Sequence, residues 1–372
     1  MNKLGRTGIV ELRLASGPIP HYKEIVELSG SIIEILVNEF GTEYTIRRFS
    51  DPLWFNCFAC TVGFEWQFSG MSTVPLKALK EFLDKENLGI KIVGGKGKES
   101  KAIDEISNKG DKLNLKTKEI EEISEASILS CKVDSCEIQD NHHLYFHSIL
   151  IDEKGNYTTI NQKMNVSQGT VRRFHWVVNP SQFVEEPYSG TIGNRQGISL
   201  DLSSKSSKEC RETIVDIVRD EMPEKICKTI LTLDEFSNQK RIIDFLGEKG
   251  VKVVRLPYYL KIPRKLNLDA LRIAHELASK NFQEILGIEG IGPATIRGLA
   301  YISKLIYGAP LSFNDPVKYT FAFGTKASVP YPVNKQAMRE SAKILRDVII
   351  QAKLENREKV DALKRLNSFL EL

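Results

Sequence analysis

Between Lys132 and His175 the chain gathers side chains that can move protons or hold charge: Lys132, Asp134, Gln139, Asp140, His142, His143, His147, Gln162, Asn165, Arg172, Arg173 and His175. Four of the six histidines lie in this stretch. Imidazole exchanges protons near neutral pH. Paired guanidiniums suit two oxygens of one phosphate. Buried polar groups cost free energy unless partnered, so such a concentration implies use. The inventory fits phosphodiester cleavage, and two mechanisms are open. In one, His147 and His175 act as base and acid while Arg172 and Arg173 neutralise the phosphate, with Gln162 orienting water or a base edge. In the other, Asp134, Asp140 and a histidine hold a divalent ion, Mg²⁺ or Mn²⁺, that activates water. No acidic pair followed by Lys reproduces a restriction-type nuclease pattern. "IDEKG" (151–155) offers Asp, Glu and Lys but falls in an expected turn.

The elements that must position these groups are legible. "HHLYFHSILID" and "NYTTINQKMN" flank "EKG" as a β-hairpin. For a turn of two or four residues, positions summing to 309 pair, which places His147 opposite Gln162 and Ser148 opposite Asn161. Alternation puts His143, Tyr145 and His147 on one face. "VRRFHWVV" (171–178) reads as a third strand. Upstream, 20–40 and 73–86 have helical spacing, and "FSDPLWFNCFACTVGFEWQFSG" (49–70) reads as aromatic core. Residues 96–125 carry mixed charge, as expected of solvated helical faces. "VGGKGKES" lacks phosphate-loop spacing, so no nucleotide cofactor is expected, though Lys96 and Lys98 could touch a phosphate backbone.

From about residue 208 helical periodicity takes over, through 335–370. The Ser/Lys tract in "GISLDLSSKSSKE" marks a boundary. The expected fold is an α+β domain over 1–204 with a hairpin-containing sheet, followed by an all-α domain over 205–372.

Within the helical part stands "GIEGIGPATIRGLA" (287–300). Gly290 and Gly292 bracket Ile291, and Pro293 opens a helix. Glycines allow close backbone approach, and a helix start offers free N–H groups and a positive dipole end to a phosphate. Ala294 and Thr295 fall in that first turn. Arg297 and Lys304 follow on the helix. "RLPYYLKIPRK" (255–265) adds a second candidate surface, with Arg255, Lys261, Arg264 and Lys265 beside Tyr258 and Tyr259.

The pattern Ile288-x-Gly290-Ile291-Gly292, with Ile296, Leu299 and Ala300 following, resembles the helix-hairpin-helix motif of DNA-binding and DNA-repair proteins. That resemblance implies backbone contacts without base readout. In helix-hairpin-helix DNA glycosylases a Gly-x-Pro segment and a catalytic Asp come next; here "LIYGAPLSFNDPVKYTFAFG" puts Asp315 near that position. The bifunctional branch has a Lys where this chain has Ala294, which argues against lyase chemistry there. Over nearly its full length the chain also resembles an uncharacterised archaeal and bacterial family, through "LGRTGIVEL", "FSDPLWFNCFACTVGFEWQFSG", "GGKGKES", "KVDSCEIQDNHHLYFHS" and "NQKMNVSQGTVRRFHW". That family supplies no mechanism.

Composition bounds the rest. Hydrophobic content of 41% supports packed cores, and a net charge of +4 is too mild to imply nucleic acid without local clustering. No apolar run suggests a signal peptide or membrane span, and six scattered cysteines read as reduced thiols, so a cytoplasmic protein is expected. The expected partner is DNA, in duplex, branched or partly single-stranded form. The leading expectation is a DNA-repair nuclease. The alternatives are a monofunctional base glycosylase using Asp315 and a non-catalytic DNA-binding protein.

Overall fold

A computed structural model of the chain describes residues 8–9, 19–64, 69–97, 101–193, 197–238, 257–316, 322–323, 335–352 and 355–370. Among these residues lie thirteen α-helices and nine strands. The strands are β1 (Gly8–Ile9), β2 (Ile90–Lys96), β3 (Ile138–Gln139), β4 (His143–Asp152), β5 (Tyr157–Asn165), β6 (Thr170–Trp176), β7 (Tyr188–Gly193), β8 (Leu200–Asp201) and β9 (Ala322–Phe323). Five of them form an antiparallel sheet in the order β2-β4-β5-β6-β7, while β1 pairs with β9 and β3 with β8.

One sheet face is covered by α1 (Tyr22–Phe40), α2 (Thr42–Ser50), α3 (Pro52–Thr61) and α4 (Gly70–Lys85). The α3 sequence is apolar nearly all round, and all ten of its residues are buried. Asp51 starts this helix by accepting bonds from the Leu53 and Trp54 amides, with Pro52 in the first turn. The same core takes in Ala342, Leu345 and Leu366 from α12 (Lys335–Gln351) and α13 (Asn356–Leu370).

Against the other face lie α5 (Ala102–Lys112), α6 (Thr117–Lys132) and a π-helical turn, Val133–Glu137, that extends α6. The mixed-charge stretch is only partly solvated: the Lys109 ammonium is buried, bonded to the Ile92 carbonyl and paired with Asp84. Behind α6 come α7 (Lys208–Asp220), α8 (Pro223–Asn238), α9 (Leu268–Glu276), α10 (Phe282–Gly287) and α11 (Pro293–Ile306). Their core joins Leu129, Trp176 and Leu200 to Cys210, Ile285 and Leu299. The apolar periodicity on both sides of residue 204 thus feeds a shared interior.

The hairpin register differs from the expected one. His147 pairs with Asn161 and Ser148 with Ile160, so paired positions sum to 308. The cause is the turn. Glu153, Lys154 and Gly155 make a three-residue loop, closed by the Asp152 amide bonding the Asn156 carbonyl, with Gly155 at φ 78°. That positive φ is the glycine-closed three-residue hairpin geometry. A one-residue shift moves every cross-strand neighbour, and it decides which groups meet at His147.

Among the described residues no helix is long and apolar enough to cross a membrane.

Candidate functional site

Strand alternation divides the polar cluster between the two faces of the sheet. On β6, Arg172 and Arg173 are sequence neighbours and therefore point to opposite sides. On the α3 side, Arg173 donates to Ser72 Oγ and Asn56 Oδ1 and stacks on Phe55 at 4.9 Å. Gln162, on the same side, receives a bond from Ser72 and donates to the Ser69 carbonyl. His175 is fully buried there, its Nδ1 on the Phe49 carbonyl. His147 lies on the other face. The expected His147–His175 acid–base pair across one phosphate is therefore not assembled, nor is the paired-arginine clamp.

Burial, with the nearby Arg173 charge, holds the His175 imidazole well below its ordinary pKa of 6.5. The unfolded imidazole takes a proton below that value and the folded one does not, so stability is lost as pH falls through the window. The melting temperature of wild type should therefore fall more steeply than that of His175→Gln between pH 7.5 and 5. Parallel slopes would mean that His175 protonates without cost in the folded state.

Asp140, Lys163, Arg172 and Asp315 form a buried ionic cluster on the α6 side. Asp140 bonds Lys163 and Arg172, both at 2.7 Å, and Arg172 also pairs with Asp315. Burial works to raise the Asp140 carboxyl, but Lys163 and Arg172 outweigh it and hold it far below the usual range. His142, next to Asp140, bonds Thr170 and is kept neutral by burial, its pKa lowered to about 4. The Asp315 side chain is 4% exposed and bound into this cluster. Its carboxylate ties the chain after α11 to Arg172 on β6. Asn165 is likewise used locally, accepting from Ser167 and the Gln168 amide.

His147 belongs to a different assembly. Its Nε2 is 2.7 Å from Ser127 Oγ on α6, and its Nδ1 is 2.7 Å from Asn161 Oδ1. The Asn161 amide donates to Asp134 Oδ2 at 2.6 Å. Asp134, on the π-helical turn, also receives Tyr188 OH at 2.5 Å and Trp176 Nε1 at 3.3 Å. A carboxylate that takes three donors fixes the orientation of the Asn161 amide, so its carbonyl faces His147. The imidazole must then carry its proton on Nδ1. Nε2 is left as an acceptor, and Ser127 donates to it. Burial raises Asp134 to about 6, against the lowering effect of these donors, so it is ionised at neutral pH. Burial lowers His147, which keeps it an unprotonated base. Glu137, at the end of the same turn, is fully buried, neither carboxyl oxygen is hydrogen-bonded among the described residues, and burial pushes its pKa well up. Single-turn π segments inside helices often sit at functional sites.

Ser127 and His147, buried at 2% and 7% exposure, are among the residues that line a cleft of about 670 Å³. Ile103, Ile128, Leu144 and Phe146 give it apolar walls, and the tip of β2 contributes Gly95 and Gly97. The turn between α10 and α11 adds Ile291, Gly292 and Pro293 to the lining. This turn has Gly290 at φ 85°, where an added Cβ would sit 2.6 Å from the Asn267 side chain that caps α9. Lys132 Nζ on α6 bonds the Ile288 and Ile291 carbonyls, and Gln139 on β3 bonds the Pro293 carbonyl, so α6 and β3 clamp the turn in place. No side chain caps the first turn of α11.

The other expected contacts fare unequally. Gly290 is exposed, Ala294 is half-buried and Thr295 is buried. Arg297 is consumed internally, donating to Gln139 and the Lys261 carbonyl. Lys304 lies 5.9 Å over the Phe313 ring, and Arg264 pairs with Asp234. Lys261 and Lys265 are exposed, as are Lys96 and His143. Lys98 and Arg255 lie outside the described residues. Cys57 and Cys60 are buried free thiols on α3. Among the described residues no group of three or more His, Cys, Asp and Glu stands ready to hold a metal ion, so the Asp134–Asp140–histidine triad is not formed. Ser127 and Asn161 were invisible as site residues in the sequence; a three-residue turn in the hairpin would have pointed to Asn161.

The chain belongs to the family described as "Protein of unknown function (DUF763)", which it matches over residues 8–333. No curated protein and no solved structure matches it.

Proposed function

We propose that this chain is a DNA-processing protein, acting in repair, that grips a phosphate backbone at the α10–α11 turn and cleaves a phosphodiester bond in the adjoining cleft. One observation carries the reading: Ile291, Gly292 and Pro293 line the same cleft as Ser127 and His147. The turn has the glycine spacing of a helix-hairpin-helix motif, and the start of α11, whose N-cap Gly292 carries no side chain, brings a positive dipole end to the cleft for a phosphate. His147 supplies a neutral base with a fixed tautomer. The apolar walls suit a sugar or an unstacked base. Exposed Lys96 at the β2 tip extends the contact surface. Asp315, held by Arg172 away from the residues lining this cleft, takes no part.

Binding is the first test. Affinity for labelled single-stranded, duplex and branched oligonucleotides should fall steeply with salt, since each phosphate neutralised releases counterions. Gly290→Asp together with Gly292→Asp places two negative charges at the grip and should weaken binding at least about tenfold. Unchanged affinity in a folded double variant would remove the turn from the account. Adding Mg²⁺ or Mn²⁺ to the same reactions asks whether the chemistry needs a divalent ion. Salt-sensitive binding with no product from any substrate would leave a recruitment protein rather than an enzyme.

A further inference from the structure

We propose that Ser127 is a covalent nucleophile, activated by His147 and held in line by Asn161 and Asp134, which forms a phosphoserine ester with the cleaved strand. As to substrate, this rests on the DNA reading above.

The geometry has the parts that such chemistry needs. A nucleophile lies within hydrogen-bond reach of a base, and the base is oriented by a third group. Ser127 Oγ to His147 Nε2 is 2.7 Å, and His147 Nδ1 to Asn161 Oδ1 is 2.7 Å. Asp134 fixes the amide of Asn161. The lone pair of Nε2 is already occupied by the Ser127 hydroxyl, so the group that this base deprotonates is the serine rather than a water. Both side chains line the cleft. The start of α11, whose N-cap Gly292 carries no side chain, lines the same cleft and places a positive dipole end beside charge that develops there.

The step balances without any further reagent. Ser127 Oγ bonds to phosphorus as the bond from phosphorus to the leaving sugar oxygen breaks. The serine proton passes to His147 Nε2 and then to the leaving oxygen. Water next attacks the phosphoserine, giving its proton to Nε2, while Ser127 Oγ leaves and recovers that proton from Nε2. The sum is one water consumed, one phosphomonoester and one hydroxyl released.

The test is covalent labelling of the full chain with a fluorophosphonate, read by intact mass and peptide mapping. A single adduct on Ser127 is expected in wild type, slowed at least tenfold in His147→Ala and absent in Ser127→Ala. The site is read in wild-type protein, so misfolding of a variant cannot imitate the result. No adduct on Ser127, or one that forms equally fast without His147, overturns the proposal. Oligonucleotide cleavage that persists in Ser127→Ala also overturns it and leaves the DNA reading intact. A labelled Ser127 in protein that cuts no oligonucleotide upholds the nucleophile and overturns DNA as its substrate.

Discussion

Arg172→Ala is expected to destabilise the protein by about 3–5 kcal/mol, the range seen when one partner of a buried ion pair is removed. Arg172 is fully buried and bridges Asp140 on one side to Asp315 on the other. Without it, two carboxylates remain in the interior, with Lys163 on Asp140 as the neighbouring cation. Arg172→Lys should lose less than Ala but should not recover wild type, because a single ammonium cannot span two carboxylates as a guanidinium does. The check is the denaturant midpoint of each variant at pH 7. A loss under about 1 kcal/mol for Arg172→Ala would mean that the site relaxes or admits water, contrary to its burial. The pH sign follows from Asp140, whose pKa is held far below the ordinary 3.8. Its contribution is fully present above that ordinary value and is lost progressively as pH falls from there towards the depressed value.

His147→Ala should reduce strand cleavage by about 10²–10⁴-fold, the usual worth of a positioned general base. Binding should change little, because the proposed backbone grip is made by other residues, those of the α10–α11 turn. The pH profile of the wild-type reaction should rise through an apparent pKa below 6.5, since burial lowers His147. Cleavage unaffected by His147→Ala, with unaltered pH dependence, would remove His147 from the chemistry.

Much of the fold was legible because it follows local rules. Helical spacing located α1 and α4, and Pro293 after Gly292 located the start of α11. The candidate site was half legible. His147 and Asp134 stood out as chemistry-bearing types, but their connection runs through Asn161, and Asn161 meets His147 only in the 308 register. A single residue in the turn separated the right partner from the wrong one. The placement of Arg172 and Arg173 on opposite faces was implicit in strand alternation, but their appeal as a pair concealed it. Ser127 had no local signal at all. It is one serine among several on an ordinary helix, and only the packing of α6 across β4 brings it to His147. The π-helical turn that carries Asp134 is likewise a product of tertiary packing, with no pattern of its own. Asp315 was read from a likeness in sequence, and its real neighbour, Arg172, lies 143 positions away.

The central claim is that the α10–α11 turn and the His147 relay serve one bound strand. Amide hydrogen exchange of the full chain, with and without a saturating oligonucleotide, tests it most directly. Protection on binding is expected in two separated segments together, around Gly290–Arg297 and around Ser127–His147. Protection confined to other surfaces, or to the turn with the Ser127–His147 segments unchanged, would contradict it.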